Sequence, residues 1–416
     1  MRRVLSNELR SHVGSRVKLA GWLHHQRRLS RVTFLLLRDR TGIAQVVLDE
    51  PADLGSETVL EVEGEAVANE QAPGGVEIHD PTLRALAEPL GPPPLELRRP
   101  RLKEQLPTLL DHAVLAWRHP LERAKLQIAA ASVAGFRDAL SRLGFTEIQS
   151  PKIVASRTES GANVFALDYF GRRAYLAQSP QFYKQMMVGA LERVFEVGPA
   201  FRAEPHETGR HLAEYVSLDA EVGFIGGPAD VMAVAREAVA GMVAGVRRLA
   251  GPAVELLDVE LPDVPAEIPV VHFSDTGVDD LDLAPADERR LCEEAMRRGG
   301  SEFVFVLGFP MAKRPFYTHP DPSRPGYSNG FDLLFRGLEI VTGGQRLHHY
   351  EDYVQALEAE GEPLEPYEGY LEAFRFGMPP HGGFALGLER FVARLVGAGN
   401  IRETTLFPRD RNRLTP

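Results

Sequence analysis

Between residues 1 and 88 apolar side chains recur in short runs broken by turn formers. Arg16 to Gln26, Arg31 to Arg38, Gly42 to Leu48 and Thr58 to Ala68 are rich in Val, Leu, Ile and Phe. Asp39-Arg40-Thr41-Gly42, Asp53-Leu54-Gly55-Ser56 and Pro73-Gly74-Gly75 separate or follow them. Several short strands at this spacing predict a small β-barrel. An OB-fold is the natural candidate, a barrel that binds single-stranded nucleic acid on one face. Four prolines between residues 89 and 94 then forbid a helix or a central strand. A linker or hinge is expected over 89–120, and a second, larger domain over 121–416.

From about residue 121 the period changes. Leu126, Ala129, Ala130, Val133, Phe136, Leu140 and Leu143 repeat at three and four, an amphipathic helix that Gly144 is placed to end. Val194, Phe195, Val197 and Phe201, and later Tyr215, Ser217, Asp219, Glu221 and Gly223, read as two antiparallel strands joined by a polar loop from Glu204 to Ala213. A further strand is expected from Phe331 to Val341. A last helix begins near Gly387 and carries Leu388, Phe391, Val392 and Leu395 on one face. Antiparallel strands with helices around them make the fold class α+β.

Composition adds limits. Hydrophobic residues are 44% and charged residues 25% of 416, an ordinary globular balance. No run of 18 apolar residues suggests a membrane span, and the amino terminus lacks a secretory apolar core, so a cytoplasmic location is expected. The one cysteine, Cys292, excludes an intrachain disulfide and a cysteine-rich zinc site. A net charge of −11 argues against a generic nucleic-acid coat, but local patches decide phosphate contacts. Arg27, Arg28 and Arg31 form one patch; Arg98, Arg99, Arg101 and Lys103 form another.

No G-x-x-x-x-G-K-[ST] occurs, and no G-x-G-x-x-G follows a strand. A nucleotide would have to be held by side chains. Three stretches offer them. Phe201-Arg202-Ala203-Glu204, with Arg210-His211 behind, has an arginine at a strand end that can grip a phosphate bidentately. Taken alone, Arg202 and Glu204 share a strand face and read equally as a surface ion pair. Gly382-Gly383-Phe384-Ala385-Leu386-Gly387-Leu388-Glu389-Arg390 places small residues where a backbone can approach a flat base, then an arginine. Glu339 in Gly337-Leu338-Glu339-Ile340-Val341-Thr342 has a hydroxyl three residues on, oxygen ligands of the kind Mg²⁺ takes.

Phe145-Thr146-Glu147-Ile148-Gln149-Ser150-Pro151-Lys152, the Phe201-Arg202-Ala203-Glu204 stretch and Gly387-Leu388-Glu389-Arg390 resemble motifs 1, 2 and 3 of class II aminoacyl-tRNA synthetases, in the family's order. Ala177 to Gln185, Thr208 to Glu214, Phe331 through Arg346, Gly377 to Gly383 and Phe407-Pro408-Arg409-Asp410 are similar to the archaeal-type aspartyl-tRNA synthetases, so the likeness spans essentially the whole chain. It implies an aspartate–tRNA ligase that uses ATP and Mg²⁺. Arg202, Glu339 and Arg390 would be catalytic. Arg202 would bind the ATP α-phosphate and the aspartate carboxylate end. Glu204, Arg210, His211 and Leu212 would line the ATP site, Gly387, Leu388, Glu389 and Arg390 would hold the ATP tail, and Glu339 and Thr342 would hold the metal. Glu159, Gln181, Lys184, Thr342 and Arg346 would meet aspartate, Glu159 from a mobile loop. Two positions depart from the usual pattern. Ser160 stands where glycine is common, which bears on that loop's mobility, and Thr342 stands where serine is common and keeps the hydroxyl.

Asparaginyl and lysyl enzymes share this architecture. Lys184 and Arg346 supply two positive charges, which suit a buried carboxylate and not a lysine. An asparaginyl-tRNA synthetase, a tRNA-independent asparagine synthetase on the same catalytic fold and a degenerate nucleic-acid-binding protein remain as alternatives. Within the barrel, Phe34 would stack an anticodon base and Arg27 and Arg28 would hold phosphates. His24 and the loop around Pro73 resemble bacterial members that charge both tRNA-Asp and tRNA-Asn and leave the product to an amidotransferase. Motif 1 implies a homodimer.

Overall fold

The computed structural model describes residues 1–156, 163–205 and 208–415. The chain divides into two compact units, Met1–Arg123 and Ala124–Pro416.

The first unit holds a closed five-stranded barrel, β1 (Arg16–Arg28), β2 (Thr33–Arg38), β3 (Ile43–Leu48), β4 (Val59–Ala68) and β5 (Val76–Ala87), ordered β1-β2-β3-β5-β4. Alternation sets its inside: Val17, Leu19, Leu23, Leu35, Leu37, Val46, Leu60, Val62 and Ile78 form the core. β5 is a fifth strand beyond the four runs expected from sequence. Its pattern is masked where Asp80 turns to a positive φ of 45° before Pro81, beside a register shift between Glu63 and Glu65.

The stretch read as a linker is not bare chain. Helices α1 (Leu106–Asp111) and α2 (Ala113–Ala116) form within 89–120, and Leu95, Leu97 and Ala116 bury one another. Proline ruled out regular structure only up to residue 94; the leucines beyond it supply the packing.

The second unit opens with α3 (Pro120–Arg142), which begins in the first. Two strands and a hairpin follow: β6 (Thr146–Glu147), β7 (Ile153–Val154), β8 (Ala166–Tyr169) and β9 (Arg172–Leu176). Then come α4 (Gln181–Leu191), β10 (Arg193–Phe201), β11 (Glu214–Gly223), α5 (Pro228–Leu249), α6 (Gly251–Leu257), β12 (Val270–His272), α7 (Pro285–Gly299), β13 (Phe303–Leu307), β14 (Gly330–Phe335), β15 (Leu338–Gln345), α8 (Tyr350–Glu360), α9 (Glu368–Arg375), β16 (His381–Gly387) and α10 (Leu388–Leu395). Eight strands make one sheet, ordered β12-β13-β14-β15-β16-β11-β10-β6. It is antiparallel except for the outermost pair at each end. α3 and α5 pack with it in one core through Ile128, Phe136, Val239 and Met242 against Phe195, Phe331 and Phe384. Gly135 lets the two helices touch, since a Cβ there would collide with the Gly241 carbonyl.

The single strand expected over Phe331 to Val341 is a hairpin. Arg336 and Gly337 both take positive φ, 47° and 77°, and reverse the chain between β14 and β15. Arginine is no turn signal, so periodicity ran straight through it.

Candidate active site

Two adjoining cavities open at the middle of the sheet. The first, about 650 Å³, lies among the loop after β10, β15 and the start of α10. Arg202, Glu204, Arg210, His211, Leu212, Glu339, Thr342, Gly387, Glu389 and Arg390 all line it. The second is lined by Gln181, Arg202, Asp219, Arg314, Tyr317, Thr342 and Arg346 among others. Arg202, Tyr215, Ser217, Thr342 and Ala385 border both.

Arg202 stands just past β10, where its N–H donates to the Ala213 carbonyl at 2.9 Å and ties the two sides of the loop. Its guanidinium lies 5.6 Å from the Tyr215 ring centroid. Glu204 is 3.9 Å from both Arg202 and His211. Arg210 is held more tightly, at 2.7 and 2.9 Å, by the two carboxylate oxygens of Glu288 on α7. Glu288 also accepts from the Glu339 N–H at 2.9 Å. Burial raises its carboxyl above the usual range, with Arg210 opposing. Arg390 Nη1 is 3.1 Å from Glu339 Oε2. Three arginines thus face one cavity, each with a carboxylate beside it.

Glu339 shares this field with Asp332, which pairs across the β14–β15 ladder with Thr342. Burial and the Glu339 charge push the Asp332 carboxyl up; burial would raise Glu339 too, but Arg390, Arg210 and Arg202 hold it below the usual range. Asp332 Oδ1 is buried and has no hydrogen-bond partner among the described residues. Two carboxylates and a hydroxyl are hard oxygen donors, and a cation would satisfy the orphaned oxygen, so these residues fit Mg²⁺. No cluster of three His, Cys, Asp or Glu occurs among the described residues, so water and phosphate would complete the shell of such an ion.

The small residues before Arg390 serve two purposes. Ala385, Leu386 and Gly387 do line the first cavity. Gly383 does not; a Cβ there would fall within the Glu221 carboxylate, so its size is demanded by packing of β16 on β11. Leu388 likewise turns into the main core. Glu389 is buried, accepts from the Val216 N–H at 3.0 and 3.2 Å, and is pushed up to about 7 by burial.

Arg346 lines the second cavity, but Lys184 does not. Lys184 lies one layer behind, 3.0 Å from Asp219 Oδ1, 3.1 Å from the Phe384 carbonyl and 3.5 Å from Glu221 Oε2. Arg346 Nε donates to Glu221 at 3.1 Å. The two cations expected to await a carboxylate are therefore matched by two acids. Ser217, Asp219 and Glu221 point to one face of β11, and three polar residues at alternate positions of a buried strand were the overlooked signal. Three arginines (Arg202, Arg314, Arg346) against one acid (Asp219) still leave the lining of this cavity positive. Glu159 lies outside the described residues.

In the barrel, Arg27 and Phe34 are register partners on β1 and β2 and share an outer face, Arg27 exposed and Phe34 half-buried. Arg28 is exposed and donates to the Ala52 carbonyl. His24 is not with them. It is 8% exposed, its Nδ1 accepts from Arg38 at 3.1 Å, and burial lowers its pKa to about 4. Arg38 is in turn bound by both oxygens of Glu57. Pro73 begins an exposed turn, Pro73–Gly75.

Residues 105–411 match the family model of tRNA synthetases class II (D, K and N), and residues 17–86 match that of the OB-fold nucleic acid binding domain. The Thermus thermophilus protein named aspartate--tRNA(Asp/Asn) ligase is 45% identical over 423 residues, with 100% of both chains covered. A Deinococcus radiodurans protein of the same name is 45% identical over 431 residues, covering 100% of this chain and 99% of its own. The crystal structure of asparaginyl-tRNA synthetase from Pyrococcus horikoshii complexed with asparaginyl-adenylate superposes with a TM-score of 0.93 at 32% identity, covering 100% of both chains. A barrel match over residues 17–86 followed by a synthetase match over 105–411 makes the chain a member of the class II tRNA synthetases of the aspartate, lysine and asparagine group.

Proposed function

We propose that this synthetase is an aspartate–tRNA ligase that activates L-aspartate with ATP and transfers it to tRNA-Asp and also to tRNA-Asn. The observation that carries the reading is Arg202, set where a cavity of three arginines meets a second, positively lined one. The first cavity takes ATP and the second aspartate. Aspartate brings two carboxylates and one ammonium, and three arginines facing Asp219 suit that balance. Lys184 keeps Asp219 and Glu221 from repelling the substrate. Asparagine would leave one cation facing a neutral amide, which is a poor match.

The α-carboxylate of aspartate attacks the α-phosphorus in line and pyrophosphate leaves. Arg202 stabilises charge on the α-phosphate, and Arg210 and Arg390, released from Glu288 and Glu339, hold the departing phosphates. Mg²⁺ held by Glu339, Asp332 and Thr342 would supply further positive charge against the phosphate oxygens. Glu204, His211, Leu212, Gly387 and Glu389 shape the nucleotide site, and Gln181, Thr342 and Glu159 orient aspartate. The terminal ribose hydroxyl of tRNA then attacks the adenylate carbonyl, its proton passes to a phosphate oxygen of the adenylate, and AMP leaves. Positioning and electrostatics carry the rate.

Arg27, Arg28 and Phe34 form the anticodon platform. Pro73 stiffens the neighbouring loop, and His24 acts from beneath through Arg38 and not by touching a base. The names of the 45% identical relatives, with both tRNAs in them, support dual charging. The enzyme works in the cytoplasm as a homodimer, and an amidotransferase converts the Asp-tRNA-Asn. Aminoacylation of separate tRNA-Asp and tRNA-Asn transcripts with labelled aspartate tests the reading. Both should be charged; charging of tRNA-Asn with asparagine instead would identify the asparaginyl alternative.

A further inference from the structure

Behind the second cavity Gln181 is backed by a buried polar cluster whose other members the chemistry above does not use. Gln181 opens α4 and lines the cavity, and its Nε2 donates to Gln185 Oε1 at 2.8 Å. Gln185, fully buried one turn on, spends all four of its amide positions. Its Nε2 meets the Tyr353 hydroxyl and His381 Nε2, each at 3.0 Å. Its Oε1 accepts from Gln181 and, at 3.0 Å, from the Tyr370 hydroxyl.

An amide's oxygen and nitrogen are interchangeable in shape, so something must choose between the two orientations. Two backbone carbonyls do so here. The Tyr353 hydroxyl gives its only proton to the Leu347 carbonyl at 2.8 Å, so toward Gln185 it can only accept. His381 Nδ1 is 3.0 Å from the Pro379 carbonyl, which cannot donate, so Nδ1 carries the ring proton. Its Nε2 is then a bare acceptor, and burial keeps the ring neutral, with a pKa lowered to about 4. Both partners demand the NH₂ of Gln185. Its oxygen must face Gln181, and Gln181 must answer with its own NH₂. That leaves Gln181 its carbonyl oxygen as an acceptor for the cavity, with one N–H of its NH₂ remaining.

We propose that Gln185, His381 and Tyr353 are positioning residues that lock the Gln181 amide with its oxygen toward the cavity, so that the site requires a free α-ammonium on its substrate. The opposite orientation would present NH₂, repel an ammonium and admit dicarboxylates without an amino group, such as succinate. The inference rests on the reading that this cavity holds the amino acid.

The test compares two non-hydrolysable ligands by calorimetry, aspartyl-sulfamoyl-adenosine and its counterpart lacking the α-amino group. Wild type should prefer the first. Gln185→Met should cut that preference roughly 10-fold to 100-fold, mainly by weakening the amino-bearing ligand. Tyr370→Phe, which removes a donor to Gln185 Oε1 but leaves the Tyr353–Leu347 and His381–Pro379 bonds in place, should keep the preference. Equal weakening of both ligands in Gln185→Met would show a merely structural role and overturn the inference. Wild type binding neither ligand would overturn the cavity reading itself. Should Gln185→Met fail to fold, ¹⁵N NMR of histidine-labelled wild type decides. A His381 ring protonated on Nδ1 is expected, and one protonated on Nε2 breaks the lock.

Discussion

Lys184 and Asp219 meet at 3.0 Å inside the sheet-facing side of α4, each side chain no more than 2% exposed. The pair is a charge compensator set behind the amino-acid cavity, and its partners come from segments 35 and 37 residues away. Removing one member leaves the other buried and uncompensated. Lys184→Met is expected to lose about 3–5 kcal/mol of stability together with aspartate-dependent pyrophosphate exchange. Adding Asp219→Asn should recover most of the stability and little of the exchange. Denaturant melts and exchange assays of both variants check this; a single variant as stable as wild type would contradict it.

Arg202 borders both cavities, and in the proposed reaction its charge faces the reacting phosphate. Arg202→Ala should lower aspartate-dependent ATP–pyrophosphate exchange by about 10²–10³-fold or more, the scale of losing one preorganised donor. Near-normal exchange would remove its assigned role.

Glu389 supplies a pH signature. Its ordinary value of 4.5 is raised to about 7 in the fold by burial. A raised folded-state pKa favours the fold fully below the unfolded value and loses that favour as pH rises through the folded one. Wild type should therefore lose roughly 3 kcal/mol of stability between pH 4.5 and 8 through this group. Glu389→Gln keeps an acceptor for the Val216 N–H and has no charge to bury. Its Tm should match wild type near pH 4.5 and exceed it at pH 8; a pH-independent difference would count against the assignment.

The Asp332–Glu339–Thr342 oxygen set makes magnesium a second handle. Chelation should abolish exchange, and Asp332→Asn should raise the Mg²⁺ concentration that gives half-maximal exchange. An unchanged magnesium titration in that variant would exclude Asp332 from the metal site.

On the barrel, Phe34→Ala should weaken tRNA by roughly 1–3 kcal/mol, seen as a higher KM for tRNA in aminoacylation. Arg27→Ala should weaken both tRNAs alike and reduce the salt dependence of binding by about one unit of slope. A filter-binding salt series separates base stacking from phosphate contact, and a slope unmoved by Arg27→Ala would deny it a phosphate.

Periodicity along the chain determined much of this architecture. The period-two runs of β1 to β4, β10 and β11 and the period-three-and-four runs of α3 and α10 could be read because each element has one buried face, and burial writes a regular spacing. Ordered motifs likewise named most of the residues around the two cavities. Hidden were the elements whose backbone departs from regularity: β5 at Asp80 and the Arg336-Gly337 turn, where a positive φ bends or reverses the chain inside an apolar run.

Tertiary structure alone decided which charges are free and which are spent. Lys184 looked like a cation awaiting substrate, yet Asp219 and Glu221 had already claimed it. Arg210 is held by Glu288 from 78 residues away, and Gln185 meets His381 across 196. A hydrogen bond or an ion pair depends on a few ångströms between atoms that only the folded sheet brings together, and no local pattern records that distance. The sequence could say which chemistry was present; packing set its protonation, its partners and the direction in which each donor points.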